Sequence, residues 1–197
     1  MVDRPGVRWS NLFDDLESQL EQEIDAEDID LRVEEERLRL GRLTLRDRLL
    51  AFRGADPVVV LHGDGSRSTV SVVSVGKDWI AGDLASTTSR RSQCIVPLSA
   101  VAGLQLTAAQ SALSLRTSDD ETALSARLGL AFVLRDLCRR RRPVDLILGF
   151  GELHGTIDRV GRDHVDLAIH ERDSARRQSA VTGVRIVPFA ELRVVRL

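Results

Sequence analysis

The chain has 197 residues, 43% hydrophobic and 29% charged, with a formal net charge of −2. That composition fits a folded chain of one or two domains and excludes a disordered or fibrous one. Apolar runs are strand-sized, short of the roughly 18 residues a membrane helix needs, and residues 1–10 lack the apolar stretch of a secretory signal, so a cytoplasmic protein with no membrane partner is expected.

Charge is divided along the chain. Residues 14–36 hold twelve acids against the single base Arg32, whereas residues 37–197 hold 25 bases and 17 acids, a net of +8. An acidic arm on a basic body is therefore expected, with the arm spanning 1–43. Within it Ser10 is placed to cap a helix, and Leu12, Leu16, Leu20 and Ile24 recur every four residues as one apolar stripe. Trp9, Leu12, Phe13, Leu16 and Leu20 are the candidate partner-binding residues, laid in a partner's groove. Two other readings stand beside this one: the arm folds back on the basic body, or it is an exterior helix packed on the core.

Thr44 to Phe52 predicts a helix capped by Thr44 and stopped by Gly54. Short strands follow: Val58 to His62, ended by Gly63-Asp64-Gly65; Thr69 to Val75, ended by Gly76-Lys77-Asp78; and Trp79 to Leu84. After a polar loop come Cys94 to Val96, a break at Pro97, and Val101 to Leu106. Cys94 and Cys138 are far apart and belong to no CxxC pair, which predicts buried reduced thiols and neither disulfides nor zinc.

A second helix is expected from a capping box at Ser118 and Glu121 through Leu124, Leu128, Ala131 and Phe132, ending in Arg139 to Arg142 before Pro143. From there the first pattern returns. Val75-Gly76-Lys77-Asp78-Trp79-Ile80 matches Val160-Gly161-Arg162-Asp163-His164-Val165, and Ile95-Val96-Pro97-Leu98 matches Ile186-Val187-Pro188-Phe189. Pro57-Val58-Val59-Val60 with Gly63 and Gly65 matches Pro143-Val144-Asp145-Leu146 with Gly149 and Gly151. Leu45-Arg46-Asp47 and Leu134-Arg135-Asp136 extend the repeat into the helices. The expected fold is mainly β with α: two tandem five-stranded small β-barrels, each preceded by a helix, over 44–117 and 118–197. The copies would form a pseudo-dimer within the chain, with the oligomeric state open.

A helix leading into five strands, with a Gly turn and an Asp before an apolar third strand, resembles the Sm-like fold. The resemblance rests on Gly63, Gly65 and Asp78, and on Gly149, Gly151, Gly155 and Asp163, and covers about 44–106 and 128–197. It implies small barrels with an RNA site beside the turn Asp. The chain departs from the pattern at the fourth strand, where Ile95-Val96-Pro97-Leu98 and Ile186-Val187-Pro188-Phe189 replace a polar Arg-Gly pair. SH3-like and PRC-type barrels share the strand pattern and bind proteins instead.

Candidate nucleic-acid residues are Arg90 and Arg91 in one loop, Arg176 and Arg177 in its counterpart, and Arg140 and Arg141 at the helix end. Paired guanidinium forks match phosphate oxygens, but solvated loop tips and a dipole-complementing helix end give the same pattern. Lys77 is the only Lys among 28 basic residues. That skew is typical of a high-GC, actinobacterial-type genome and weakens any argument from a particular Arg. The four histidines show no metal spacing, and no nucleophile elbow, Walker loop or dinucleotide fingerprint occurs. No catalytic residue, cofactor or metal is expected. The sequence thus points to a non-catalytic adaptor engaging protein partners, with an Sm-like RNA-binding protein as the alternative.

Overall fold

The computed structural model describes residues 16, 17, 20, 29, 31–85, 92–116, 124–172 and 181–197. The chain divides into two compact units, Met1–Leu43 and Thr44–Leu197. In the first, residues 31–42 form a helix, α1. Glu34 pairs with Arg37 and Glu36 with Arg39, the three-residue spacing that makes side chains neighbours on a helix. Leu31, Val33 and Leu38 are exposed. No helix among the described residues is long and apolar enough to cross a membrane.

The second unit is mainly β with helices. It opens with α2 (Leu45–Leu50), started by a reciprocal capping box between Thr44 and Asp47. Then come β1 (Val58–Leu61), β2 (Arg67–Val75), β3 (Trp79–Leu84), β4 (Ser92–Pro97), a 3-10 turn at Leu98–Ala100 and β5 (Gly103–Gln105). A helix that the sequence reading did not anticipate follows, α3 (Ala108–Ser114), with its own capping box between Thr107 and Gln110.

Beyond α3 lie a 3-10 turn at Leu124–Arg127, α4 (Leu130–Arg139), β6 (Pro143–Leu148), β7 (Gly151–Val160) and β8 (His164–Ile169). β9 (Gly183–Pro188), a 3-10 turn at Phe189–Glu191 and β10 (Leu192–Arg196) complete the chain. The second helix is shorter than its sequence implied. Leu124 belongs to the 3-10 turn, Leu128 and Gly129 are not helical, and Ser118 and Glu121 lie outside the described residues. A carboxylate from elsewhere sets the start: Asp78 Oδ1 accepts the Leu130 N–H at 2.7 Å.

The ten strands make one antiparallel sheet in the order β5-β1-β2-β3-β4-β10-β6-β7-β8-β9. The first five strands run 5-1-2-3-4 and the last five 10-6-7-8-9, so both groups wind alike. They meet where β4 pairs with β10, Ile95 opposite Val195 and Cys94 opposite Arg196, with Leu197 N–H donating to the Gln93 carbonyl at 2.9 Å.

Two cores flank this seam. One gathers Leu49, Phe52, Val58, Val70, Ile80 and Val96 with Val194 from β10. The other gathers Leu134, Leu146, Ile157, Leu167 and Val195 with Trp79 and Ile95 from β3 and β4. Side chains alternate faces along a strand. Trp79 and Ile80, Ile95 and Val96, and Val194 and Val195 are therefore each divided between the two cores. Central strands buried on both faces read as continuous apolar runs instead of alternating ones, as in Cys94-Ile95-Val96-Pro97, all buried.

Candidate interaction surface

The turns after β2 and β7 are built alike. Gly76 N–H donates to the Trp79 carbonyl at 2.8 Å, and Gly161 N–H to the His164 carbonyl at 2.9 Å. Each aromatic ring lies over its glycine so closely that an added Cβ would sit 2.2 Å from the Trp79 indole or 2.4 Å from the His164 ring. A helix Arg reaches each turn: Arg46 Nε donates to the Gly76 carbonyl at 2.8 Å, and Arg135 Nη2 to that of Gly161 at 3.4 Å.

Their surroundings differ. The first turn is covered by the stretch entering α4: Lys77 N–H and the Trp79 indole both donate to the Leu128 carbonyl, and Asp78 caps α4. In the second turn Asp163 is 85% exposed in its side chain and accepts from its neighbour His164. That bond holds the Asp163 carboxyl below its ordinary value, against a smaller effect of burial.

Beside this turn the sheet ends at β9, whose outer edge pairs with no other strand of the described residues. Val184 and Ile186 are 59% and 64% exposed there. Ile95, which stands in β4 where Ile186 stands in β9, is 3% exposed because β10 covers it. The other end of the sheet is β5, paired among the described residues with β1 alone.

A cleft of about 260 Å³ opens beside Val184, lined also by Arg141, Asp158, Arg159 and Asp166. Its charges balance: Arg141 pairs with Asp158 at 2.9 Å and Arg159 with Asp166 at 3.8 Å. The second Asp166 oxygen is buried and has no hydrogen-bond partner among the described residues.

The Arg run at the end of α4 serves the helix stop. Arg139 and Arg140 pair with Asp136. Arg141 takes φ +53 while its N–H bonds the Cys138 carbonyl and Arg142 N–H bonds that of Leu137. This double bond pattern around a left-handed residue is the Schellman stop. Arg140 and Arg141 are thus brought together with acids. Arg90, Arg91, Arg176, Arg177, Trp9, Leu12 and Phe13 lie outside the described residues, and Leu16 and Leu20 are exposed.

A charged network that the sequence reading did not single out sits across β6, β7 and β10. Asp145 accepts from His154 at 2.6 Å, from Arg196 through Nε and Nη2, and from Arg172, while Glu152 holds the same two arginines. Burial raises the Asp145 carboxyl, but the bonds from His154 and Arg196 and the nearby Arg172 outweigh it and hold it below its ordinary value. The other described imidazoles are engaged in local bonds: His62 with the Ala100 carbonyl and Ser68, His170 with Thr156 and the Glu171 carbonyl. Burial pushes the Cys94 thiol up to about 12, so it stays protonated and unreactive at neutral pH.

Comparison of the chain with protein-family profiles, with curated proteins and with solved structures finds no match.

Proposed function

We propose that this chain is a non-catalytic binding protein made of two copies of one small β-barrel module, of Sm-like or SH3-like type, engaging protein partners at an open sheet edge and through its acidic arm. One observation carries the reading: Val184 and Ile186 stand exposed on the unpaired edge of β9, while the corresponding Ile95 is covered by another strand. An open edge presents unpaired N–H and C=O groups, and an added strand satisfies them while side-chain pockets supply specificity. The shared strand order and the paired glycine turns support the duplication. The balanced charges of the adjoining cleft favour a polypeptide over a polyanion.

The test is affinity capture from RNase-treated lysate with the full chain, with Ile186→Lys, and with a chain lacking residues 1–43. Partners kept after RNase but lost with Ile186→Lys support the reading. Partners that depend on RNase-sensitive material, with binding that falls steeply with salt, overturn it in favour of RNA. That second reading draws on the +8 of residues 37–197, although Arg140 and Arg141 are taken up by Asp136 and Asp158.

A further inference from the structure

The cleft beside Val184 has its acids below and its arginines above. The side chains of Asp166 and Asp158 are 17% and 26% exposed, whereas those of Arg141 and Arg159 are 56% and 85% exposed. A ligand entering it therefore meets positive charge at the rim and negative charge at the floor. We propose that the cleft is a small-ligand site for an arginine-like zwitterion: a guanidinium on an aliphatic stem, with a carboxylate at the other end. Asp158 and Asp166 take the guanidinium, Val184 packs on the stem, and Arg141 and Arg159 hold the carboxylate. The site goes beyond the partner reading given above and stands whether or not a strand adds to β9.

The fold does not require these charges. β2 and β7 carry the same β-bulge, between Val72 and Ser74 and between Ile157 and Arg159. A bulge sets two residues of one strand against one of its neighbour and re-aims their side chains. In the first group those three residues are Val73, Ser74 and Ala81; in the second they are Asp158, Arg159 and Asp166. One backbone device thus bears no charge in one copy and three charges in the other.

A second observation points the same way. The left-handed residue between helix and first strand is Gly54 in the first group, at φ +72, and Arg141 in the second, at φ +53. Glycine takes this conformation without strain and arginine does not. The second group thus keeps a strained side chain where glycine suffices, and that side chain lines the cleft. Backbone strain of this kind collects at ligand sites.

The existing pairs leave room for the exchange. Arg159 and Asp166 are 3.8 Å apart and the arginine is largely solvated, a pair that water and salt weaken. The second Asp166 oxygen has no hydrogen-bond partner among the described residues. A guanidinium presents its N–H donors in a planar fork, enough to serve Asp166 and Asp158 together while Arg141 keeps its own bond at 2.9 Å. The volume of about 260 Å³ is below that of a drug-sized pocket and suits a molecule of amino-acid size.

Titration of the full chain with L-arginine, followed by calorimetry and by the amide shifts of Asp158, Arg159, Asp166 and Val184, tests this. The expected result is saturable binding with a dissociation constant of about 1 mM or tighter. L-citrulline, which lacks the cation, and L-argininamide, which lacks the carboxylate, are each expected to bind roughly tenfold more weakly. Asp166→Asn gives a similar loss. Arg141→Gly also weakens binding although its helix stop is relieved of strain, so a lost ligand with an unchanged or higher thermal midpoint separates recognition from folding. A peptide ending in arginine decides the source of the ligand. Binding tighter than that of the free amino acid, and lost when the peptide is amidated, assigns the site to a polypeptide terminus; equal or weaker binding assigns it to a free small molecule. No saturation by about 50 mM L-arginine, equal binding of L-citrulline or L-argininamide, or affinity unchanged in either Asp166→Asn or Arg141→Gly overturns the proposal.

Discussion

Trp79 donates its indole N–H to the Leu128 carbonyl at 2.9 Å, and by that bond the β2–β3 turn of one strand group holds the entry to the other group's helix. The ring is almost wholly buried. Trp79→Phe keeps most of the apolar area but leaves a carbonyl with one donor fewer, a loss of about 1–2 kcal/mol. Urea denaturation measures it, and a midpoint unchanged from the parent chain would mean the bond contributes nothing.

The matched glycines separate from each other when substituted. In Gly76→Ala the new methyl meets an indole pinned by Leu128, so overpacking costs about 2–3 kcal/mol. In Gly161→Ala it meets the partly exposed His164 ring, which has room to swing aside, and the cost is under about 1 kcal/mol. Thermal unfolding of the two variants side by side checks the order.

Arg141 occupies the left-handed position that helix stops usually give to glycine. Arg141→Gly removes a penalty of about 1 kcal/mol and forfeits an exposed ion pair with Asp158 worth about 0–1 kcal/mol. Stability is expected to hold or rise by up to about 1 kcal/mol. Arg141→Ala keeps the strain, loses the pair and falls below both. Denaturation midpoints of the three proteins order them.

Much of this was legible in the sequence, and the residues show why. Thr44, Gly76, Gly161 and the apolar runs of β1, β2 and β3 announce themselves because caps, turns and strand periodicity are local. The start of α4 was misread because its cap, Asp78, lies 52 residues away in the chain. The Arg run reads in sequence as a nucleic-acid patch or equally as a helix end, and its pairing with Asp136 and Asp158 is visible only in space. The pairing of β4 with β10 could not be read at all, since ladder partners so distant in sequence leave no mark on either strand.

The network around Asp145 makes stability depend on acid in a defined direction. Its carboxyl is held below the ordinary value of about 3.9, so the folded state favours the charged form. The contribution is complete above that ordinary value and disappears as pH falls through the lower folded one. Urea midpoints between pH 7 and pH 2.5 should drop on the acid side. Asp145→Asn should lower the neutral midpoint and flatten that drop, and an equally steep drop in the variant would locate the acid sensitivity elsewhere.

From Cys94 to Pro97 the seam strand β4 has no solvent side. Ile95 answers to one core and Val96 to the other, so a mutation drifting through that stretch finds no neutral alternate position of the kind most strands offer. Either group cut out alone would bare an apolar row that its own residues cannot cover. If the repeat arose from a separate ancestral unit, the seam is what now forbids the return: the two copies share a boundary that neither owns, and they are inherited, folded and lost together.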